Sequence, residues 1–130
     1  MIVADGSAIV TAATDPTERG SRIRARLARE RPVAAPHLVD AEIGQGIRGL
    51  ALRGVITLTD AERSRASAEL LVTARFAHRP YGARAWELRD NVSFYDGLYV
   101  ALAEHLDAPL LTTDRKLAGA TGPRCPIELA

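Results

Sequence analysis

Residues Asn91 to Leu117 read NVSFYDGLYVALAEHLDAPLLTTDRKL, and no other stretch limits the possible folds so strongly. Its first half spaces Phe94, Leu98, Ala101, Leu102 and Leu106 as one helix does, with Ser93 placed to cap the start. Its second half is Pro109 and a short apolar run, Leu110-Leu111. That run ends in Thr112-Thr113-Asp114 and leads into a new helix start at Arg115. A helix followed at once by a buried strand that ends in an acid predicts an α/β sheet with Asp114 at its carboxyl edge. Open α/β folds bind ligands along that edge. Asp96 falls in the first turn of the helix, where exposed N–H groups favour negative charge. Both acids also have a plainer account, Asp96 as part of a variant capping box with Ser93 and Asp114 as an N-cap.

The N-terminus repeats the pattern. Ile2-Val3-Ala4 reads as a central strand ending in Asp5, and Gly6-Ser7 turns the chain into a short helix through Ala13, for which Asp5 or Ser7 suits the cap. Asp15-Pro16-Thr17-Glu18 predicts a second helix start, with Asp15 capping and Pro16 at the first helical position. This helix runs to about Glu30 with Ile23 and Leu27 inward. Arg19, Arg22, Arg24, Arg26, Arg29 and Arg31 crowd its remainder, as a solvated face or as a basic surface for RNA phosphates or an acidic partner. Pro32 to Pro36 is a weak strand.

The segment from His37 to about Arg53 reads as a helix with Leu38, Ala41, Ile47, Leu50 and Ala51 on its apolar side. Gly44, Gly46 and Gly49 inside it each cost about 1 kcal/mol relative to alanine. Asp40 and Glu42 point to nearly opposite sides, and Glu42 is the one expected to face a site. Thr59 and Glu62 form a capping box for a helix with Ala66, Leu70 and Leu71 inward. A loop from His78 to Gly82 follows, then a helical piece from Ala83 to Arg89 with Trp86 in the core. A short helix from Arg115 to Ala120 and an edge strand from Pro126 to Leu129 end the chain. Strands alternating with helical segments predict a parallel α/β sheet, here in a single domain, residues 1–130.

Composition narrows the chemistry. A chain of 130 residues supports one core. No apolar run is long enough to span a bilayer, and no basic leader precedes the apolar residues at the start. Cys125 is the only cysteine, which leaves no internal disulfide and no zinc-finger site; the expected location is the reducing cytoplasm. Lys116 is the sole lysine against sixteen arginines, a ratio that a GC-rich genome explains as well as phosphate binding does. His37, His78 and His105 lack metal-protease spacing, and no nucleophile elbow or phosphate-cradling glycine loop is present.

Asp5, Glu42, Asp96 and Asp114 therefore stand out. Two end strands and two open helices, so all four can meet at one sheet edge. Such a cluster does not stay ionised unaided. Mg²⁺, which takes all-oxygen, partly hydrated sites, resolves the repulsion. An all-carboxylate metal site is by type a phosphoryl-transfer site. With those four acids neutralised, seventeen bases face twelve acids, a balance of +5 (17 − 12) that suits an anionic polymer.

The residues also carry a resemblance. MIVxD at the start, A-P-x-L-x-x-x-E ending at Glu42, and R-x-N-x-S-x-Y-D-x-x-Y-V-A-L-A-E-x-L-x-x-P-L-L-T-x-D-x-x-L from Arg89 to Leu117 resemble the PIN-domain ribonucleases. More narrowly, they resemble the VapC-type toxins of bacterial toxin–antitoxin pairs. The resemblance implies a PIN-like fold, a twisted parallel sheet of four to five strands flanked by helices. It implies an endoribonuclease dependent on Mg²⁺ or Mn²⁺, with the four acids falling on Asp5, Glu42, Asp96 and Asp114. Thr112 matches a hydroxyl that steadies the site. Asp5, Asp96 and Asp114 would hold metal and Glu42 would orient or deprotonate water. The implied partners are RNA and a small cognate antitoxin, in a homodimer or a toxin–antitoxin assembly. Gly97 stands where the family usually has alanine, and Asp40, Arg89 and Asn91 lie nearby without an assigned role.

Two other readings fit parts of the pattern. A metal-silent RNA- or protein-binding module on the same fold would be marked by a missing carboxylate, and all four are present. A phospho-acceptor signalling domain needs an acid after a mid-chain strand, but the strand from Pro32 to Pro36 ends in Pro-His.

Overall fold

In a computed structural model describing residues 1–130, five strands form one parallel sheet. They are β1 (Ile2–Ala4), β2 (Val33–Pro36), β3 (Ala74–Phe76), β4 (Leu110–Thr112) and β5 (Ile127–Leu129), in the order β3-β2-β1-β4-β5. The β1, β2 and β4 strands are buried along their whole length, as parallel strands covered on both faces must be. The helices are α1 (Gly6–Thr14), α2 (Glu18–Arg29), α3 (Val39–Leu52), α4 (Leu58–Leu71), α5 (Gly82–Glu87), α6 (Phe94–Leu106) and α7 (Arg115–Ala118). No helix is long and apolar enough to cross a membrane.

The chain leaves β1 on one side, towards β2 and β3, and returns on the other, towards β4 and β5. That reversal between β1 and β4 creates a crevice at their carboxyl ends. Register is direct there: Ala4 pairs with Leu111, and the Asp5 N–H donates to the Leu111 carbonyl at 3.1 Å. Asp5 and the Thr112–Asp114 turn therefore emerge side by side.

Several local expectations are corrected. The α2 helix begins at Glu18 with Thr17 at the cap, and Asp15 instead accepts the Thr17 N–H at 2.8 Å in a turn ahead of the helix. Pro16 thus lies outside it. The cap of α4 is Thr57, whose hydroxyl accepts the Asp60 N–H at 3.1 Å; Gly54 at φ +69° turns the chain three residues ahead of it, and the helix begins two residues before the Thr59 box can act. Ala61 and Ala68 are the buried residues of α4; Ala66 is exposed and Leu70 is 80% exposed. Of the expected apolar side of α3, Ile47 is buried and Leu38, Leu50 and Ala51 are half-buried, whereas Ala41 is exposed and Val39 and Ile43 complete the inward stripe. Trp86 is 62% exposed, and Ala85 takes the core position of α5. There is no room for a larger residue, since a side chain on Gly97 of α6 would meet Ala85 at 3.0 Å. The edge strand β3 is an addition to the expected strands; it is three residues long, and only two residues separate it from the end of α4.

The turn before α2 sets a steric limit. A Cβ on Gly20 would lie 2.0 Å from the Asp15 carbonyl oxygen. Gly20→Ala is therefore expected to lower stability by about 1–3 kcal/mol through overpacking, although in a free helix the change adds about 1 kcal/mol. Urea unfolding reads the sign, and a variant as stable as the parent would show that the Asp15 turn yields freely.

Candidate active site

Asp5 is the fixed point of the crevice. It is 4% exposed and caps α1 by accepting the Ala8 N–H at 2.9 Å. The same oxygen accepts the Ser7 hydroxyl at 2.6 Å, and the other accepts the Thr112 hydroxyl at 2.5 Å. Ser7 and Thr112 are themselves held, since their oxygens accept the Thr113 N–H at 3.1 Å and the Asp114 N–H at 3.0 Å. The ends of β1 and β4 are thereby stitched together through one carboxylate. Burial raises the pKa of Asp5, the hydroxyls and the Ala8 N–H pull it back, and the charge of Asp114 raises it further.

Glu42 enters from the first turns of α3. It accepts the hydroxyl of the fully buried Tyr99 at 2.6 Å, and Gly6 leaves the space it fills: a Cβ there would lie 2.7 Å from its Oε2. Burial raises its pKa, the Tyr99 bond lowers it, and Asp5 and Asp96 raise it again. Asp96 sits in the first turn of α6, whose cap is Ser93 as expected, at 3.1 Å from the Asp96 N–H. Its pKa is raised by burial first and then by Asp5 and Asp114, against the Ser93 hydroxyl. Asp114 caps α7 through one oxygen, accepting the Lys116 N–H at 2.8 Å and the Leu117 N–H at 3.4 Å. Its other oxygen makes no bond to the protein.

All four acids line one open cleft of about 1390 Å³. A smaller cleft of about 380 Å³ adjoins it, sharing Asp96 and Asp114 and adding Arg89, Asn91 and Lys116. At Asp114 the capping account and the site account hold together, because the cap uses one carboxylate oxygen and leaves the second; at Asp96 only the Ser93 half of the capping box forms. No ion pair in the structure involves any of the four acids. Asp40, two residues from Glu42, is by contrast forked by Arg75 at 2.8 Å through both oxygens and lines neither cleft.

This donor set fits a hard divalent cation. It is all oxygen, three of its pKa values are pushed up by burial and mutual repulsion, and no protein cation relieves them. No three acids already converge on a single point. Mg²⁺ does not require that, since it keeps several waters and takes one or two carboxylates directly.

Of the arginines of α2, Arg19 lines the large cleft, while others are engaged elsewhere. Arg26 forks onto Glu128 at 2.9 Å and reaches Glu30, Arg22 pairs with Glu18, and Arg24 donates to the Ala12 and Asp15 carbonyls. The sequence reading gave no role to Tyr99 and offered Ser7 only as a cap for α1, a place that Asp5 takes. Tyr99 lies three residues after Asp96, on the same helix face, and Ser7 two residues after Asp5; that spacing is the available signal.

Residues 2–122 match the PIN domain family. The chain is 41% identical to Ribonuclease VapC1 of Mycobacterium tuberculosis over 98% of its own length and 96% of that protein's. It is 39% identical to VapC ribonuclease Mb0985 of Mycobacterium bovis, with 99% and 98% covered. Among solved structures it resembles PAE2754 from Pyrobaculum aerophilum, at TM-score 0.72 and 21% identity, covering 97% of this chain and 81% of that one. It also resembles Mycobacterium tuberculosis VapC20, a Sarcin-Ricin loop cleaving toxin, at TM-score 0.65 and 19% identity, covering 93% and 97%.

The crowded acids have a thermodynamic signature. Raised folded-state values mean that Asp5, Glu42 and Asp96 bind more protons folded than unfolded once pH exceeds the ordinary carboxylate range. Their contribution to metal-free stability therefore falls as pH rises from about 4 towards neutrality. Asp96→Asn removes one such group. Without metal, its urea midpoint is expected to exceed the parent's by an amount that grows over that interval. Acids held low by cations, such as Asp40 and Glu104, act oppositely but cancel in the difference. A constant or shrinking difference would show that Asp96 carries no such repulsion.

Proposed function

The chain belongs to the PIN-domain family, among the VapC ribonucleases, and on that premise we propose that it is a metal-dependent endoribonuclease hydrolysing RNA phosphodiester bonds. The observation that carries this reading is the convergence of Asp5, Glu42, Asp96 and Asp114 on one cleft with none of them paired to a protein cation. Asp5, Asp96 and Asp114 would hold Mg²⁺ or Mn²⁺, directly or through water. The bound ion supplies neutralisation of phosphate oxygens and acidification of water.

The protein's own residues do the rest. Thr112 and Ser7 fix the direction of Asp5, so that the deepest carboxylate is pre-oriented. Tyr99 aims the Glu42 carboxylate into the cleft, where it orients or deprotonates the attacking water; a raised pKa brings it nearer to that task. Four like charges also repel phosphate in the absence of a cation, which makes the empty cleft a poor RNA site and the loaded one a good one. As the toxin of a toxin–antitoxin pair, the protein would be held inactive by a small antitoxin in a hetero-oligomer and would act on RNA as a monomer or homodimer.

Purified protein is expected to cut RNA from a mixed small-RNA pool with Mg²⁺ or Mn²⁺ and to stop when chelator is added. Asp5→Asn and Asp96→Asn each remove several kcal/mol of charge stabilisation, a loss of about 10²-fold or more in rate. Either variant cutting at the parent rate would refute the site. Folded, antitoxin-free protein that cuts nothing at any metal concentration would point instead to a metal-silent binding module.

A further inference from the structure

We propose that Trp86 and Arg89 form a nucleotide platform beside the acid centre, which takes an unstacked base and its phosphate from single-stranded RNA; the proposal rests on the ribonuclease reading above. Trp86 is a large aromatic with 62% of its surface in solvent. The guanidinium of Arg89 lies over its ring, 5.1 Å from the centroid, and is tethered by a bond to the Trp86 carbonyl at 3.0 Å. The pair is therefore a pre-set flat surface carrying positive charge. Arg26, Arg75 and Arg84 are all locked to carboxylates, whereas Arg89 has no acidic partner.

Position ties this surface to the chemistry. Arg89 lines the smaller cleft together with Lys116, Asn91 and Asp90. That cleft shares Asp96 and Asp114 with the large one. A strand running through both would pass the acids in the middle and meet Arg89 on leaving them. There Lys116 and Arg89 face its phosphates, the Asn91 amide can meet a base edge, and the Trp86–Arg89 face can take a base. Asp90 is the one opposing charge. Stacking on aromatic rings and guanidinium planes is how unpaired bases are held, and it tolerates any base identity. Bases inside a duplex cannot reach such a face, so the platform selects loops and single strands.

Trp86 is the only tryptophan in the chain, so its fluorescence reports on this place alone. The test titrates short single-stranded oligoribonucleotides, with Mg²⁺, into the Asp96→Asn protein. It also measures cleavage by otherwise unaltered chains carrying Trp86→Ala, Trp86→Phe or Arg89→Ala, with folding verified by circular dichroism. The expected result is saturable quenching and a rise of about tenfold or more in KM for Trp86→Ala. Trp86→Phe should largely restore KM, and Arg89→Ala should flatten the salt dependence of KM. Cleavage by the parent without quenching, and with KM unchanged in Trp86→Ala, would overturn the platform and leave the ribonuclease intact. A change of oligomeric state in Trp86→Ala, with KM unchanged, would overturn it in favour of a contact between copies. No cleavage and no binding by the parent would remove both readings.

Discussion

The parallel pairing of β1 with β4 is the constraint from which the rest follows. It puts Asp5 beside the Thr112–Asp114 turn, and the strand polarity sends both acids to the same edge. Once there, a buried carboxylate needs hydrogen bonds from every direction it can find them. Thr112, Ser7 and the Ala8 N–H supply them. Those bonds make Asp5 a rigid origin for the site, and the other three acids are placed relative to it by the starts of α3, α6 and α7. Every buried side-chain polar atom in the structure has a partner.

The arrangement is a compromise between folding and chemistry. Helix N-termini welcome one negative charge each through their free N–H groups, and α1, α6 and α7 all begin at this edge. The same edge then gathers charges that repel one another. The fold tolerates this because each acid has a local reason to be there, and the repulsion is left for a ligand to relieve. Elsewhere several acids are paired: Asp40, Glu104 and Glu128 all meet arginine.

Much of this was legible in the residues. The acids that close β1 and β4, the Ser93 cap and the outward difference between Asp40 and Glu42 follow from local rules of strand ends, caps and helical spacing. What escaped depended on neighbours distant in sequence. Whether Thr57 or Thr59 caps α4 is decided by the left-handed turn at Gly54. Trp86 looked like core because it is large and aromatic, but the close approach of Gly97 to Ala85 fills that layer with small residues. Leu70 has the right spacing for burial, yet α4 presents alanines to the core. Tyr99 carried no polar signal at all until its hydroxyl was seen against Glu42. The comparison with known relatives identifies the family, while the electrostatics of the cleft come from the packing alone.

Gly6 follows Asp5 and faces Glu42, with an ideal Cβ only 2.8 Å from the Cβ of that glutamate. The separation of α1 from α3 at this edge is therefore gauged by a hydrogen atom. A single methyl at this position would act as a wedge, driving the glutamate-bearing helix off the aspartate that the sheet holds in place. The width of the cleft mouth is in this sense written into the chain as a missing side chain.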